Sequence, residues 1–250
     1  MQLKTHDDIG RIREAGRIVR AVLDEVVAAA LAGVPTGELD RLAEARTRER
    51  GAVPAFKGYL GYPASICISV NDEVVHGIPT PRRMLRAGDI VGLDFGVVLD
   101  GFYGDAAETV VVGRGEPATE RLVEATRQAL ERAIGAAVPG GRIGDIGAAV
   151  QAWVEPMGFS VVREFVGHGI GRKLHEPPQV PNYGSAGTGP RLRPGMVLAI
   201  EPMVNAGGPE VRTLEDGWTA VTADGSLSAH FEHTVAVTEE GPVVLTRPGE

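Results

Sequence analysis

The side chains able to do chemistry here are acids and histidines set among apolar residues. The segment IVGLDFGVVLDGFYGDAAETVVV carries Asp94 and Asp105. Its Asp100-Gly101 pair is a two-residue hairpin signal. With that turn, position 99 faces 102 and position 96 faces 105. Asp94 then shares a face with Asp105 as a diagonal neighbour, roughly 7–8 Å away. Strand alternation puts Val91, Leu93, Phe95 and Val97 on one face and Gly92, Asp94 and Gly96 on the other. Carboxylates paired on such a ribbon repel unless a cation or a proton sits between them. The segment fits a solvent-facing hairpin with two ordinary surface acids equally well.

The second half supplies further donors. VGHGIGRKLHEPP sets His168 among glycines, which let a ligand or partner strand come close, and places His175 seven residues on. A lone histidine on a strand is more often a satisfied polar group than a ligand. VLAIEPMV holds Glu201, and AHFEHTVAV holds Glu232, each in an apolar run. A glutamate there is costly unless it is paired or bound to metal. His233 alternates to the opposite face and is left out. Asp94, Asp105, His168, Glu201 and Glu232 together balance two divalent ions. With two carboxylates bridging, the ions lie roughly 3.5–4 Å apart. One nitrogen among oxygens suits cobalt, manganese, iron(II), zinc or nickel without choosing among them.

Helices and strands must bring these residues together. Helical spacing of Ile9, Ile12, Val19, Val22, Leu23 and Val26 predicts a helix from about Asp7 to Leu31, with Thr5 and Asp8 as its cap. A second runs from Gly37 to Glu49 and is ended by Gly51. Strands are expected at SICISV, IVGLDFGVV and ETVVV, after the aromatic loop FKGYLGYPAS. Helices follow at Thr119–Ala137 and Gly144–Met157, the latter with Ile146, Val150, Trp153 and Met157 on one face. Strands return at SVVREF, MVLAIEPMV and HFEHTVAV. VPTGELDRL resembles VPGGRIGDI, and each joins a long helix to a second one. That likeness is equally a common helix-turn-helix composition. The repeated order of elements favours a duplicated α+β unit, with halves of about 1–115 and 116–250 in one catalytic domain.

Bulk properties narrow the function. The 250 residues are 43% hydrophobic and 23% charged, as in a soluble globular chain. The net charge of −8 argues against nucleic acid as a partner. No apolar run is long enough for a membrane span, and no signal core is seen, so a cytoplasmic location is expected. Cys67 is the single cysteine, which excludes an internal disulfide and thiolate-rich zinc sites.

These segments resemble the type I methionine aminopeptidases. The likeness runs through CISVNDEVVHGIP, LDFGVVLDGFYGDAA, GHGIGRKLHEPP, IEPM, TLEDGWT and SLSAHFEHT, in order, over nearly the whole chain. It implies the pita-bread fold, an α+β arrangement of two pseudo-twofold halves around a central antiparallel sheet. It implies two-metal hydrolysis of the first peptide bond, releasing methionine from nascent or short polypeptides. Asp105 and Glu232 would bridge the ions, Asp94 would hold one, and His168 with Glu201 the other. The free α-amine would bind on the Asp94 side. Glu201 would also carry protons. His175 would hydrogen-bond the carbonyl oxygen, and His76 the scissile nitrogen. Tyr59, Tyr62, Cys67 and Trp218 would form the methionine pocket. Phe56 and Leu174 depart from the bacterial pattern, in which a smaller residue and an aromatic are common at those positions. A monomer is expected.

The alternatives are a proline-directed aminopeptidase or prolidase of the same fold, and a non-catalytic binding module on it. Prolidases usually carry an extra N-terminal domain, for which this chain has no room. Binding modules typically lose ligands, and here all the ligand positions are filled.

Overall fold

A computed structural model describes residues 2–247. Helix α1 (His6–Ala29) starts where Thr5 and Asp8 form a reciprocal capping box, and it buries Ile12, Val19, Val22, Leu23 and Val26. Helix α2 (Thr36–Glu49) adds Leu39 and Ala43 to the same core. Both helices cover the strands Cys67–Val70 and Ile90–Leu99, meeting Ile68, Val91, Leu93, Phe95 and Val97. Helices α3 (Pro117–Ala136) and α4 (Ile143–Val154) do the same for the second half, packing Leu122, Leu130, Ile146 and Val150 against Leu198, Ile200, Val235 and Val237. The sheet is thus backed by two helix pairs with separate apolar cores.

Among the described residues, nine strands form the main sheet, and every pairing in it is antiparallel. Its path runs Val53–Pro54, Ile90–Leu99, Phe102–Val111, Glu232–Thr238, Val197–Ile200, Gly167–Gly169 and Glu176–Val180. Cys67–Val70 pairs beside Ile90–Leu99, and Gly241–Val244 beside Glu232–Thr238. The central pairing joins the two halves. Glu232 lies opposite Ala107 and His233 opposite Ala106.

The hairpin has the anticipated register, with Leu99 opposite Phe102 and Gly96 opposite Asp105. Asp100 and Gly101 both have positive φ, 49° and 79°, as a type I′ turn requires. Three expectations are corrected. MVLAIEPMV is not one strand. It is Val197–Ile200 and Met203–Asn205, separated at Glu201-Pro202, because proline cannot donate to a ladder. SVVREF contributes only Ser160–Val161. The last helix ends at Val154 with a 3₁₀ turn over Glu155–Met157, which leaves Met157 exposed. Trp153 is half-buried. Its Nε1 donates to Ala125 O at 3.1 Å and Arg132 covers its ring. No described helix is long and apolar enough to cross a membrane.

Candidate active site

The acids meet at the seam between the two cores. Gly96 faces Asp105 across the hairpin, and a Cβ there would lie 2.8 Å from the Phe56 ring and 3.1 Å from Asp105 Oδ1. Glycine therefore keeps the space in front of Asp105 open. The adjoining strand brings Glu232, and the Thr234 hydroxyl donates to Asp105 O at 2.8 Å while accepting from Asp105 N at 3.0 Å. This clamp fixes the Asp105 backbone to the Glu232 strand.

His168 lies in the three-residue strand Gly167–Gly169, squeezed between two others. A Cβ at Gly167 would sit 2.3 Å from Ala199 O, and one at Gly169 would sit 2.5 Å from Pro177 O. The flanking glycines thus serve close approach to partner strands on both sides. His168 Nδ1 pairs with Gly169 O at 2.9 Å, which leaves Nε2 as the lone-pair donor of the neutral ring. That Nε2 is 3.5 Å from Glu201 Oε1. Glu201 is held where the strand breaks, with its carbonyl accepting from Asn182 Nδ2 at 3.0 Å.

Donor atoms of Asp105, His168 and Glu232 all lie within 4.8 Å of one another, with all three residues buried. Asp94 Oδ1, Asp105 Oδ1 and Glu232 Oε1 are enclosed without any hydrogen-bond partner. Native proteins rarely leave buried acceptors so, unless an ion or water completes them. Burial pushes Asp94 up to about 7. Burial and then the Asp94 charge raise Asp105 well above the usual carboxylate range. Glu201 is raised by burial and then by Asp94 and Asp105. Glu232 is raised by burial and then by Asp105, Glu201 and Asp94. Such a cluster is stable as anions only around positive charge, so the donor set fits divalent cations.

A cavity of about 180 Å³ opens onto these acids. Apart from the metal-binding candidates, Tyr62, Cys67, Phe56 and Leu174 are its buried lining. Tyr62 donates to Gly77 O at 2.8 Å and meets Trp218 edge-on at 5.1 Å. Trp218 is set by Asp216, whose Oδ1 accepts from the backbone N of Trp218 and Thr219, each at 2.8 Å. Cys67 pairs directly opposite Asp94, so the apolar pocket adjoins the acids. Phe56 and Leu174 both line this one cavity.

His76 and His175 lie at the same cavity. His76 takes a positive φ of 62°, and its ring stands edge-on to Phe165 at 5.3 Å and to Trp218 at 6.3 Å. Burial, with a smaller contribution from His175, lowers it to about 4. His175 is exposed, pairs through Nδ1 with the Tyr59 hydroxyl at 2.7 Å, and stands 4.2 Å from the His168 ring. Every residue singled out from the sequence thus reaches one cavity.

Three neighbours went unanticipated. His230 is buried, with Nε2 3.7 Å from Glu201 Oε2. It ends the strand Ser228–His230 of a separate three-stranded sheet, and the strand is interrupted at Phe231 before Glu232 begins the next one, so alternation along one strand does not connect the two. Phe165 braces His76, and Leu60 lines the cavity mouth. Neither carries a sequence signal of its own.

These buried acids and one histidine open onto a substrate-sized pocket, and their donor set suits divalent cations. The sequence profile of metallopeptidase family M24 matches residues 10–239, and the chain belongs to that family. Within the family it stands with the methionine aminopeptidases. It is 52% identical over 244 residues to methionine aminopeptidase 1 of Bacillus subtilis strain 168, covering 98% of each chain. It is 49% identical to the methionine aminopeptidase of Escherichia coli K12, covering 98% of this chain and 94% of that one. The crystal structure of the Thermotoga maritima methionine aminopeptidase superposes with a TM-score of 0.97 at 48% identity, over 99% of both chains. A Pyrococcus horikoshii prolidase shares the pita-bread fold at 22% identity, with a TM-score of 0.80.

Proposed function

We propose that this chain removes methionine from the N-terminus of polypeptides by hydrolysing the first peptide bond. The observation that carries this reading is the set of partnerless buried carboxylate oxygens beside a pocket walled by aromatic and aliphatic side chains. Asp94, Asp105, His168, Glu201 and Glu232 would hold two divalent cations, with Asp105 and Glu232 shared between them. When bound, such ions acidify water and polarise a carbonyl group.

The chain's own side chains do the rest. The pocket of Tyr62, Cys67, Phe56 and Leu174, closed by Trp218, takes an unbranched thioether against aromatic edges. Glu201, with its carboxylate 3.5 Å from His168 Nε2 and 3.7 Å from His230 Nε2, would take a proton from the attacking water and deliver it to the leaving amine. His175 Nδ1 pairs with the Tyr59 hydroxyl, and in the tautomer with Tyr59 as the donor Nε2 carries the hydrogen and donates to the carbonyl oxygen as charge builds on it. His76, neutral at physiological pH, hydrogen-bonds the scissile nitrogen.

Release of methionine from Met-Gly-Met-Met in the presence of Mn²⁺ or Co²⁺, with no cleavage of an Xaa-Pro peptide, is the expected result. Cleavage of the Xaa-Pro peptide alone points to a prolidase, and inertness on both points to a binding module. Replacing His76 with Ala should lower kcat/KM by about 10²-fold, as loss of one positioned hydrogen-bonding group at the reacting centre does. Metal content, read by elemental analysis, should stay near that of the wild type. A large metal loss in this variant would remove His76 from the substrate and assign it to the ions.

A further inference from the structure

Leu60 combines three properties that do not ordinarily occur together. At 81% exposure it is the most exposed large hydrophobic side chain among the described residues. Its backbone is left-handed, with φ 49° and ψ 19°, a region that disfavours a side chain of this bulk. It also lines the cavity that opens onto the acids. The turn holding it is pinned on both sides. Tyr59 is bonded to His175 Nδ1, and Tyr62 to Gly77 O. Glycine at 58 and 61, with φ of 85° and 92°, lets the chain make this turn without strain, but Leu60 between them has no such freedom.

A leucine held in water against its backbone preference, at the mouth of a cleft, is best explained by an apolar contact that forms only when the cleft is filled. The buried lining takes the first side chain, so the rest of the polypeptide leaves past the exposed residues, Leu60 and His175. We propose that Leu60 is a specificity-determining residue, which packs on the substrate downstream of the methionine and favours apolar side chains there over polar ones. The proposal rests on the methionine-releasing function given above.

The test compares Met-Ala-Leu-Leu with Met-Ala-Ser-Ser on the metal-loaded wild-type enzyme and on Leu60→Asn and Leu60→Ala. The wild type should favour the leucine peptide in kcat/KM, and both variants should reduce that preference about fivefold, the effect of losing part of one buried leucine contact. Asparagine tolerates the left-handed region whereas alanine gains nothing there. Leu60→Asn should therefore raise Tm by about 2–4 °C, and Leu60→Ala should not. An unchanged peptide preference in both variants overturns the proposal. A Tm that does not rise in Leu60→Asn overturns the claim that this position is held against its backbone preference. Absence of methionine release from either peptide by the wild type overturns the functional reading and this proposal with it.

Discussion

Replacing Asp105 with Ala should abolish turnover and metal uptake in one step. Asp105 is the acid on which the other groups converge. Its donor atom clusters with those of His168 and Glu232, and its charge raises the proton affinity of Glu201 and Glu232. One of its oxygens has no protein partner, so nothing in the fold can take over its place. As a shared ligand it would anchor both ions, and its loss would leave neither site with a full donor set. The expected loss in kcat/KM exceeds about a thousandfold, which is ~4 kcal/mol of transition-state stabilisation. Elemental analysis after gel filtration should show well under one divalent ion per chain. The fold should survive, because the Asp105 backbone is tied into the sheet by strand pairing and by its bonds to the Thr234 hydroxyl, which the substitution leaves in place. Removing one of four repelling acids should leave the metal-free variant at least as resistant to heat as the metal-free wild type. Normal turnover in this variant would end the dinuclear reading, and normal metal content with lost turnover would make Asp105 a catalytic group and not a shared ligand.

Much of this site could be read in the sequence wherever local chemistry fixed the geometry. Asp100-Gly101 dictated the turn, the turn dictated the register, and the register placed Asp94 and Asp105 on one face. Thr5 and Asp8 marked the start of the first helix to within a residue. The glycines around His168 indicated close approach, and the structure shows that the close neighbours are strands on both sides. The break at Glu201 was also visible in principle, since Pro202 sits inside what otherwise reads as a strand. Convergence of acids from the hairpin with donors from positions 168, 201 and 232 was not visible locally. No spacing rule connects segments that meet through the order of strands, and only the resemblance supplied that link. His230 was not legible because it lies on a different strand from Glu232, whereas His233, on the Glu232 strand, bonds Thr246 away from the acids. The strained backbone of Leu60 has no sequence signature, since its glycine neighbours announce a turn without saying which residue bears the strain.

The same crowding of acids predicts that the metal-free protein loses thermal stability as pH rises from about 6.5 to 8.5, and that divalent metal cancels the loss. In the unfolded chain Asp and Glu release their protons near pH 4. In the folded, metal-free site Asp94 holds its proton to about 7, and Asp105, Glu201 and Glu232 are also raised by burial and mutual repulsion. Above pH 4 the folded state therefore binds more protons than the unfolded state, and stability falls with rising pH until these groups ionise. The buried histidines act in the opposite sense. Burial lowers His76 to about 4 and His168, His230 and His233 to about 3, so below about 6.5 the unfolded state takes up protons that the folded state refuses. The two contributions offset each other between about pH 4 and 6.5. Above that window the histidines are neutral in both states and the acids alone set the slope. One proton of difference gives ~1.4 kcal/mol per pH unit, a fall in Tm of roughly 3–5 °C per unit for a chain of this size. Bound cations remove the repulsion and require the ligands deprotonated, so the rise in Tm on adding Mn²⁺ should grow with pH. Thermal melts at pH 6.5, 7.5 and 8.5, with chelator and with Mn²⁺, test both halves. A chelated protein with a flat or rising Tm over that range would show that the acids do not hold protons as argued. A metal increment independent of pH would show that the cation binds away from them. In Glu232→Gln the falling limb should be shallower, because one of the acids that sets it no longer ionises.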